Sequence, residues 1–197
     1  LKVAIVNLMP TKTTTETQLL RLLANTPIQI EISLIRMEQH VYKNTGTEYL
    51  DKFYIPSGEI FKRRFDGMII TGAPVEKLDF EQVDYWQELC TIMDYAKENV
   101  FSTLYLCWGA FAGLYHLYGI PKYPSDKKIF GVFKNRRTTL NDPLLRGMDD
   151  EFPVPQSRHT LLSKEDIKSN QELIILAESE ESGVTLVKSK NNREVFM

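Results

Sequence analysis

Along the 197 residues, short apolar runs alternate with stretches whose apolar positions recur every three or four residues. That alternation predicts an α/β protein, a doubly wound, mostly parallel sheet flanked by helices. Lys2 to Leu8 predicts a buried first strand. Thr15 to Asn25 predicts a helix with Leu19, Leu20, Leu22 and Leu23 on one stripe, and Ile28 to Ile35 a second strand. From Glu38 to Arg64 the pattern weakens, and the polar segment YKNTGTEYL predicts a loop with a short helix. Phe65 to Thr71 predicts a central strand ended by the turn Gly72-Ala73-Pro74. Phe80 to Asn99 predicts a long helix, with Val83, Trp86, Leu89, Ile92, Met93 and Ala96 at helical spacing. Ser102 to Leu106 predicts a strand that runs straight into Cys107. A helix from Trp108 to Tyr118 follows, stopped by Gly119-Ile120-Pro121. The remainder is β-rich, with strands expected at Ile129 to Phe133, Phe152 to Pro155, Leu173 to Ala177, Val184 to Val187 and Glu194 to Met197. The last of these has no turn or cap after it. The expectation is one domain over residues 1–197 that lacks its C-terminal part.

Composition narrows the picture. Hydrophobic residues make up 43% of the chain, enough for a sizeable core and too many for a disordered chain. A formal net charge of −2 provides no electrostatic handle for nucleic acid or a membrane surface. No apolar run approaches the roughly 20 residues that span a bilayer. The opening LKVAIVNLMP lacks the pattern of a signal peptide. The two cysteines, Cys90 and Cys107, are far apart and in no metal-ligand spacing, which fits a reducing cytoplasm and no metal site.

The chemistry concentrates in TLYLCWGAFAGLYH, residues 103–116. A buried strand ends at Cys107, and small residues follow at 109, 110, 112 and 113. A sharp strand-to-helix turn of this kind lifts its central side chain above the sheet and needs small neighbours, the logic of a nucleophile elbow. The helix N-terminus favours thiolate, and the Trp108 N–H would face an oxyanion. The plainer alternative is a small buried hydrophobe, which is the reading for Cys90 on its apolar stripe. Gly72 and Ala73 stand at the C-terminal end of a central strand, where open α/β sheets bind ligands, and their amides would complete an oxyanion hole. An ordinary tight turn reads the same way. In NLMPTKTTTETQLLRLL, residues 7–23, Lys12 would meet an anionic ligand or a developing negative charge, or else simply lie solvated in a loop. Thr13 or Thr15 would cap the helix.

A cysteine nucleophile needs a base, usually histidine. His116 lies nine residues past Cys107 on the same expected helix, too far along to reach it. His159, in QSRHT, would line a site from a strand end, and His40 falls in the weakly patterned region. None is singled out by position.

These segments together resemble the homoserine O-acyltransferase family. The matching blocks are NLMPTK, ETQLLRLL, KNT, FDGMIITGAPVE, FEQVDYW, CWGAFAGLYHLYGIPKYP, FGVF, LLRGMDDEF and SRHT, through nearly the whole chain. The resemblance implies a fold like class I glutamine amidotransferases. It also implies ping-pong transfer of an acyl group from acyl-CoA, through a cysteine thioester, to the hydroxyl of an amino acid in methionine biosynthesis. Cys107 matches the family nucleophile and Lys12 the lysine after NLMP. Lys128, just before FGVF, and Ser157 in SRHT match substrate-binding positions. Glu76, after GAPV, matches the position that selects the acyl group: glycine there goes with succinyl-CoA, glutamate with acetyl-CoA, because its bulk and charge oppose a succinyl carboxylate. Acetyl transfer to homoserine is therefore expected, with small-molecule substrates, no permanently bound cofactor and a homodimer. Three departures bear on the acceptor: Phe111 for Gln, Gln156 for His, and Lys134-Asn135 for Glu-His, all expected near the site. They keep serine open as acceptor; the missing base leaves a non-catalytic relative as another alternative, and a hydrolase on the same fold is a less favoured one. The family's catalytic His and Glu follow a strand matching REVFM, beyond Met197, and its substrate-binding arginine lies further on.

Overall fold

The computed structural model describes residues 1–42 and 45–197; Lys43 and Asn44, inside the KNT block, lie outside the described residues. The strands are β1 (Lys2–Val6), β2 (Glu31–Arg36), β3 (Tyr54–Pro56), β4 (Gly67–Ile70), β5 (Ser102–Tyr105), β6 (Lys122–Arg137), β7 (Glu151–Leu162), β8 (Leu173–Ser179), β9 (Gly183–Ser189) and β10 (Glu194–Phe196). The helices are α1 (Lys12–Leu23), α2 (Thr47–Phe53), α3 (Trp86–Asn99), α4 (Trp108–Tyr118) and α5 (Lys164–Ser169). Among the described residues, these ten strands form one sheet in the order β3-β2-β1-β4-β5-β10-β9-β8-β6-β7. The first six run parallel and the rest are joined antiparallel, which is the mostly parallel α/β sheet the alternation implied.

Alternate residues of the parallel strands feed two cores. Ala4, Val6, Met68, Ile70 and Tyr105 point to the face covered by α3 and α4. Val3, Ile5 and Ile69 point to the face where Leu19 and Leu23 of α1 pack. The leucine stripe is narrower than expected, because Leu20 and Leu22 face solvent. The inward face of α1 is instead Lys12, Glu16, Leu19 and Leu23, a helical stripe whose first turns are charged.

Other boundaries moved for local reasons. The helix α1 begins at Lys12 and takes Thr11 as its N-cap residue with no side-chain cap; Thr13 and Thr15, the expected caps, lie inside it. The long helix expected from Phe80 is broken. Residues Phe80–Gln82 form a 3-10 turn with an Asp79–Gln82 capping box, and Trp86 restarts the chain as α3. Ile28 is exposed and β2 starts three residues later. The segments around Ile129 and Phe152 grow into the long hairpin β6–β7, paired from Lys122↔Leu162 to Arg136↔Glu151 with a register shift between Pro124 and Ile129. Most positions along that hairpin alternate between half-exposed and exposed, so hydrophobicity marked only fragments of it.

Candidate active site

The C-terminal ends of β1, β4, β5 and β10 share one edge of the sheet. The strand order reverses direction between β1 and β4, which opens a crevice there. Cys107 stands at this edge with φ 53° and ψ −121°, a left-handed conformation that a non-glycine residue adopts at a cost of order 1–3 kcal/mol. Hydrogen bonds hold the turn from three sides. Leu106 N–H donates to the Ile70 carbonyl (2.9 Å), Cys107 N–H to Met197 (2.6 Å), and Ala110 N–H to the Cys107 carbonyl (2.9 Å). Glycines let the backbones close up around it. A Cβ on Gly109 would lie 2.6 Å from the Thr71 carbonyl oxygen, and one on Gly72 would lie 2.9 Å from Cys107 Cβ and 3.2 Å from its Sγ. Thr71 fixes the facing turn: its hydroxyl donates to the Gly72 carbonyl (3.1 Å) and accepts from Leu8 N–H (2.8 Å).

The sulfur is solvent-accessible. The structure departs here from the thiolate expected of a helix N-terminus. Burial of the surroundings pushes the thiol pKa up, and Glu76 adds to that; the Trp108 N–H and Arg158 pull it back without cancelling the rise. Cys107 is therefore a strained thiol that requires a base. Among the described residues no imidazole bonds it. His40 pairs with Asp84 (2.8 Å) and His116 with Asp94 (2.7 Å), while His159 enters through its main chain. Cys90 is buried in α3 and its thiol is pushed up to about 12 by burial, as suits a packing residue.

Glu76 lies in the loop after β4, and two contacts from the β6–β7 hairpin place it. Its Oε2 accepts from His159 N–H (2.9 Å), and its carbonyl accepts from Lys122 Nζ (2.7 Å), which also reaches the Leu78 carbonyl and lies over the Phe80 ring. Lys12 is neither solvated nor open to a ligand from a loop. It is buried, its Nζ donates to the Asn7 carbonyl (2.5 Å), and the rings of Tyr42 and Tyr54 stand 4.6 and 5.4 Å from it. Burial lowers its pKa to about 8, against the attraction of Glu16. Glu16 in turn accepts from Tyr49 (2.6 Å) and from Tyr54, whose oxygen accepts from Asn7 Nδ2 (2.9 Å). Lys12 opens α1 after β1 and Cys107 precedes α4 after β5, the two strands that flank β4 in the sheet.

Lys128 and Ser157 are exposed on the hairpin, with Lys128 Nζ over the Phe130 ring (5.1 Å) and Ser157 paired with Phe130. Among the described residues, neither bonds to a group of the Cys107 turn. The Lys134-Asn135 departure does not lie beside the thiol. Lys134 pairs with Glu151, and buried Asn135 accepts from Thr185 of β9. Phe111 is buried inside the core. The reading of SRHT for its serine and histidine missed Arg158. Strand alternation turns Arg158 inward, opposite to Ser157, where it interacts electrostatically with Cys107 and Glu76. Its period-two phase with Phe152 and Val154 along the strand was the available signal.

The homoserine O-succinyltransferase family description matches residues 1–197. The chain belongs to that family. The homoserine O-acetyltransferase of Petrotoga mobilis is 59% identical and that of Methanomethylophilus alvi 55% identical, each over all 197 residues; the chain spans 64% of the length of both relatives. A glutamine amidotransferase from Thermotoga maritima superposes with a TM-score of 0.64 at 11% identity, covering 98% of this chain and 72% of its own. That likeness shows the fold, which this member of the homoserine O-succinyltransferase family shares with glutamine amidotransferases. Among the described residues no helix is long and apolar enough to cross a membrane.

Proposed function

We propose that the protein is an acetyl-CoA-dependent homoserine O-acetyltransferase acting through a thioester on Cys107. The observation that carries this reading is the exposed thiol in a positive-φ strand-to-helix turn, with the Glu76 carboxylate, held by the His159 N–H, close enough to act on it electrostatically. The Cys107 sulfur, deprotonated, attacks the acetyl carbonyl carbon. The amides of Trp108, Gly72 and Ala73 receive the oxyanion, and the C–S bond to coenzyme A breaks as its thiol takes up a proton. The acceptor hydroxyl then loses its proton and attacks the thioester, which restores the thiol and releases the O-acetyl ester. Lys12 contributes a fixed positive charge at the crevice, Lys128 and Ser157 hold the amino acid, and Glu76 excludes longer dicarboxylic acyl groups. The strand β10 brings Met197 alongside Cys107, its amide donating to Tyr105 (2.9 Å) and its carbonyl accepting from Cys107. The His and Glu that the resemblance places after REVFM would enter at the level of the thiol. The names of the acetyltransferase relatives and the identity of residue 76 both support acetyl transfer. The working unit in this reading is a cytoplasmic homodimer.

Intact-mass measurement of the full-length protein with acetyl-CoA will show an acetyl adduct that Cys107→Ser abolishes and homoserine discharges. No adduct overturns the mechanism. A higher kcat/KM for serine than for homoserine makes the enzyme a serine O-acetyltransferase, and free acetate as the product makes it a hydrolase.

A further inference from the structure

A guanidinium buried beside a reactive thiol requires a partner, because an unpaired internal charge is costly. Arg158 is only 7% exposed, yet its known bonds leave it incomplete. One terminal nitrogen donates to the Ser182 carbonyl, while Nε has no acceptor among the described residues. The peptide that joins Arg158 to His159 donates to Glu76 Oε2 at 2.9 Å, so the carboxylate is held against the residue that carries the guanidinium. Both charges act on Cys107 and on each other. Glu76 therefore lies in the field of an internal cation as well as in that of the thiol.

We propose that Arg158 is the specificity-determining partner of Glu76, and that its guanidinium receives the distal carboxylate of a dicarboxylic acyl thioester when residue 76 carries no acid. The inference rests on the acyl-transfer reading of Cys107. With Glu76 present, the cation is balanced by the protein, and a donor with a second carboxylate meets a like charge. With glycine there, the loop loses its carboxylate and the Nε–H, which has no acceptor among the described residues, is left for a ligand to satisfy. A four-carbon acyl chain on the sulfur supplies a carboxylate of its own. A fork of guanidinium donors suits it better than a point charge would. On this account the switch at position 76 works only because position 158 is arginine.

The test is a double-mutant cycle in the full-length protein, reading Cys107 adducts formed from succinyl-CoA and acetyl-CoA by intact mass. The readout is the ratio of the two initial rates. Loss of Arg158 slows both donors by weakening thiolate, so neither rate alone is diagnostic. Glu76→Gly will raise the succinyl-to-acetyl ratio by at least about tenfold, the size of one charge-assisted hydrogen bond. E76G/R158M will return the ratio to the wild-type value, E76G/R158K will retain part of the gain, and R158M alone will leave the ratio unchanged. A ratio in E76G/R158M equal to that in E76G overturns the proposal, as does a Glu76→Gly variant with no gain. Should E76G/R158M not fold, E76G/R158Q and E76G/R158K decide by the same ratio. Absence of any adduct from either donor on the wild-type protein is a different failure: it removes the acyl-transfer reading itself.

Discussion

Two strand ends on one sheet edge hold the two most reactive side chains of this protein, and they are built in opposite ways. At the end of β5, Cys107 is exposed in a strained turn, surrounded by glycines and main-chain amides. Beyond the end of β1, at the start of α1, Lys12 is buried and enclosed by Asn7, Glu16 and the tyrosines 42 and 54. The group that forms a bond must be reachable, so its surroundings are backbone and carry strain in place of bulk. A group that acts through its field gains from exclusion of water, which strengthens it, provided partners hold its orientation. The two ends are also perturbed in complementary senses. Burial makes the thiol a weaker acid and the ammonium a stronger one, so both are biased toward their neutral forms.

The comparison breaks most directly at Lys12. Lys12→Met will lower the rate of Cys107 acylation by about 100-fold, the scale of losing one charge-stabilising donor. It will also remove the decline in rate expected of the wild type as Lys12 loses its proton through about pH 8. The same substitution will not destabilise the fold at neutral pH. The lysine has a lower pKa folded (about 8) than in its ordinary range near 10.5, so its burial opposes folding below pH 8 and that opposition fades toward pH 10.5. Thermal unfolding and a pH–rate profile check both halves, and a variant as active as wild type would reduce Lys12 to a packing residue.

A smaller effect is expected at the thiol's own wall. Gly72→Ala forces a Cβ to within 2.9 Å of Cys107 Cβ and will slow alkylation of the thiol by about tenfold, with about 1–3 kcal/mol lost from stability. An unchanged alkylation rate would show that the turn relaxes freely. The smallest effect sharpens the other end. Tyr54→Phe deletes the hydroxyl that links Asn7 to Glu16, while Glu16 keeps its bond from Tyr49. Denaturant unfolding will show a loss of about 1 kcal/mol, and the alkaline limb of the rate profile will move as Lys12 loses part of its enclosure.

The difference between the two ends also explains what a linear reading reaches. Residues 103–118 were legible because an apolar strand, a cysteine and a run of small residues all demand the same turn, and α4 spans the expected Trp108 to Tyr118. The loop at Gly72 was legible for a similar reason. By contrast, the enclosure of Lys12 draws on residues 7, 16, 42 and 54, which share no periodicity. A lysine and a glutamate one helical turn apart look like a solvated pair until the sheet covers them. The long hairpin was only partly visible, since its alternating half-exposed positions carry little hydrophobic contrast.

By itself the sequence determined the α/β alternation, the strand-to-helix turn that presents Cys107, and, through its motif blocks, the family. Local sterics and periodicity decide those features, and they are written in consecutive residues. Only the tertiary structure decided the rest. Crossovers of the sheet bring β10 beside β5, and the hairpin lays the peptide between Arg158 and His159 against Glu76 across a sequence separation of 83 residues. The charge balance around the thiol depends on those long-range approaches. Whether Cys107 faces a net positive or negative field is therefore a property of the folded sheet edge and not of the segment that contains it.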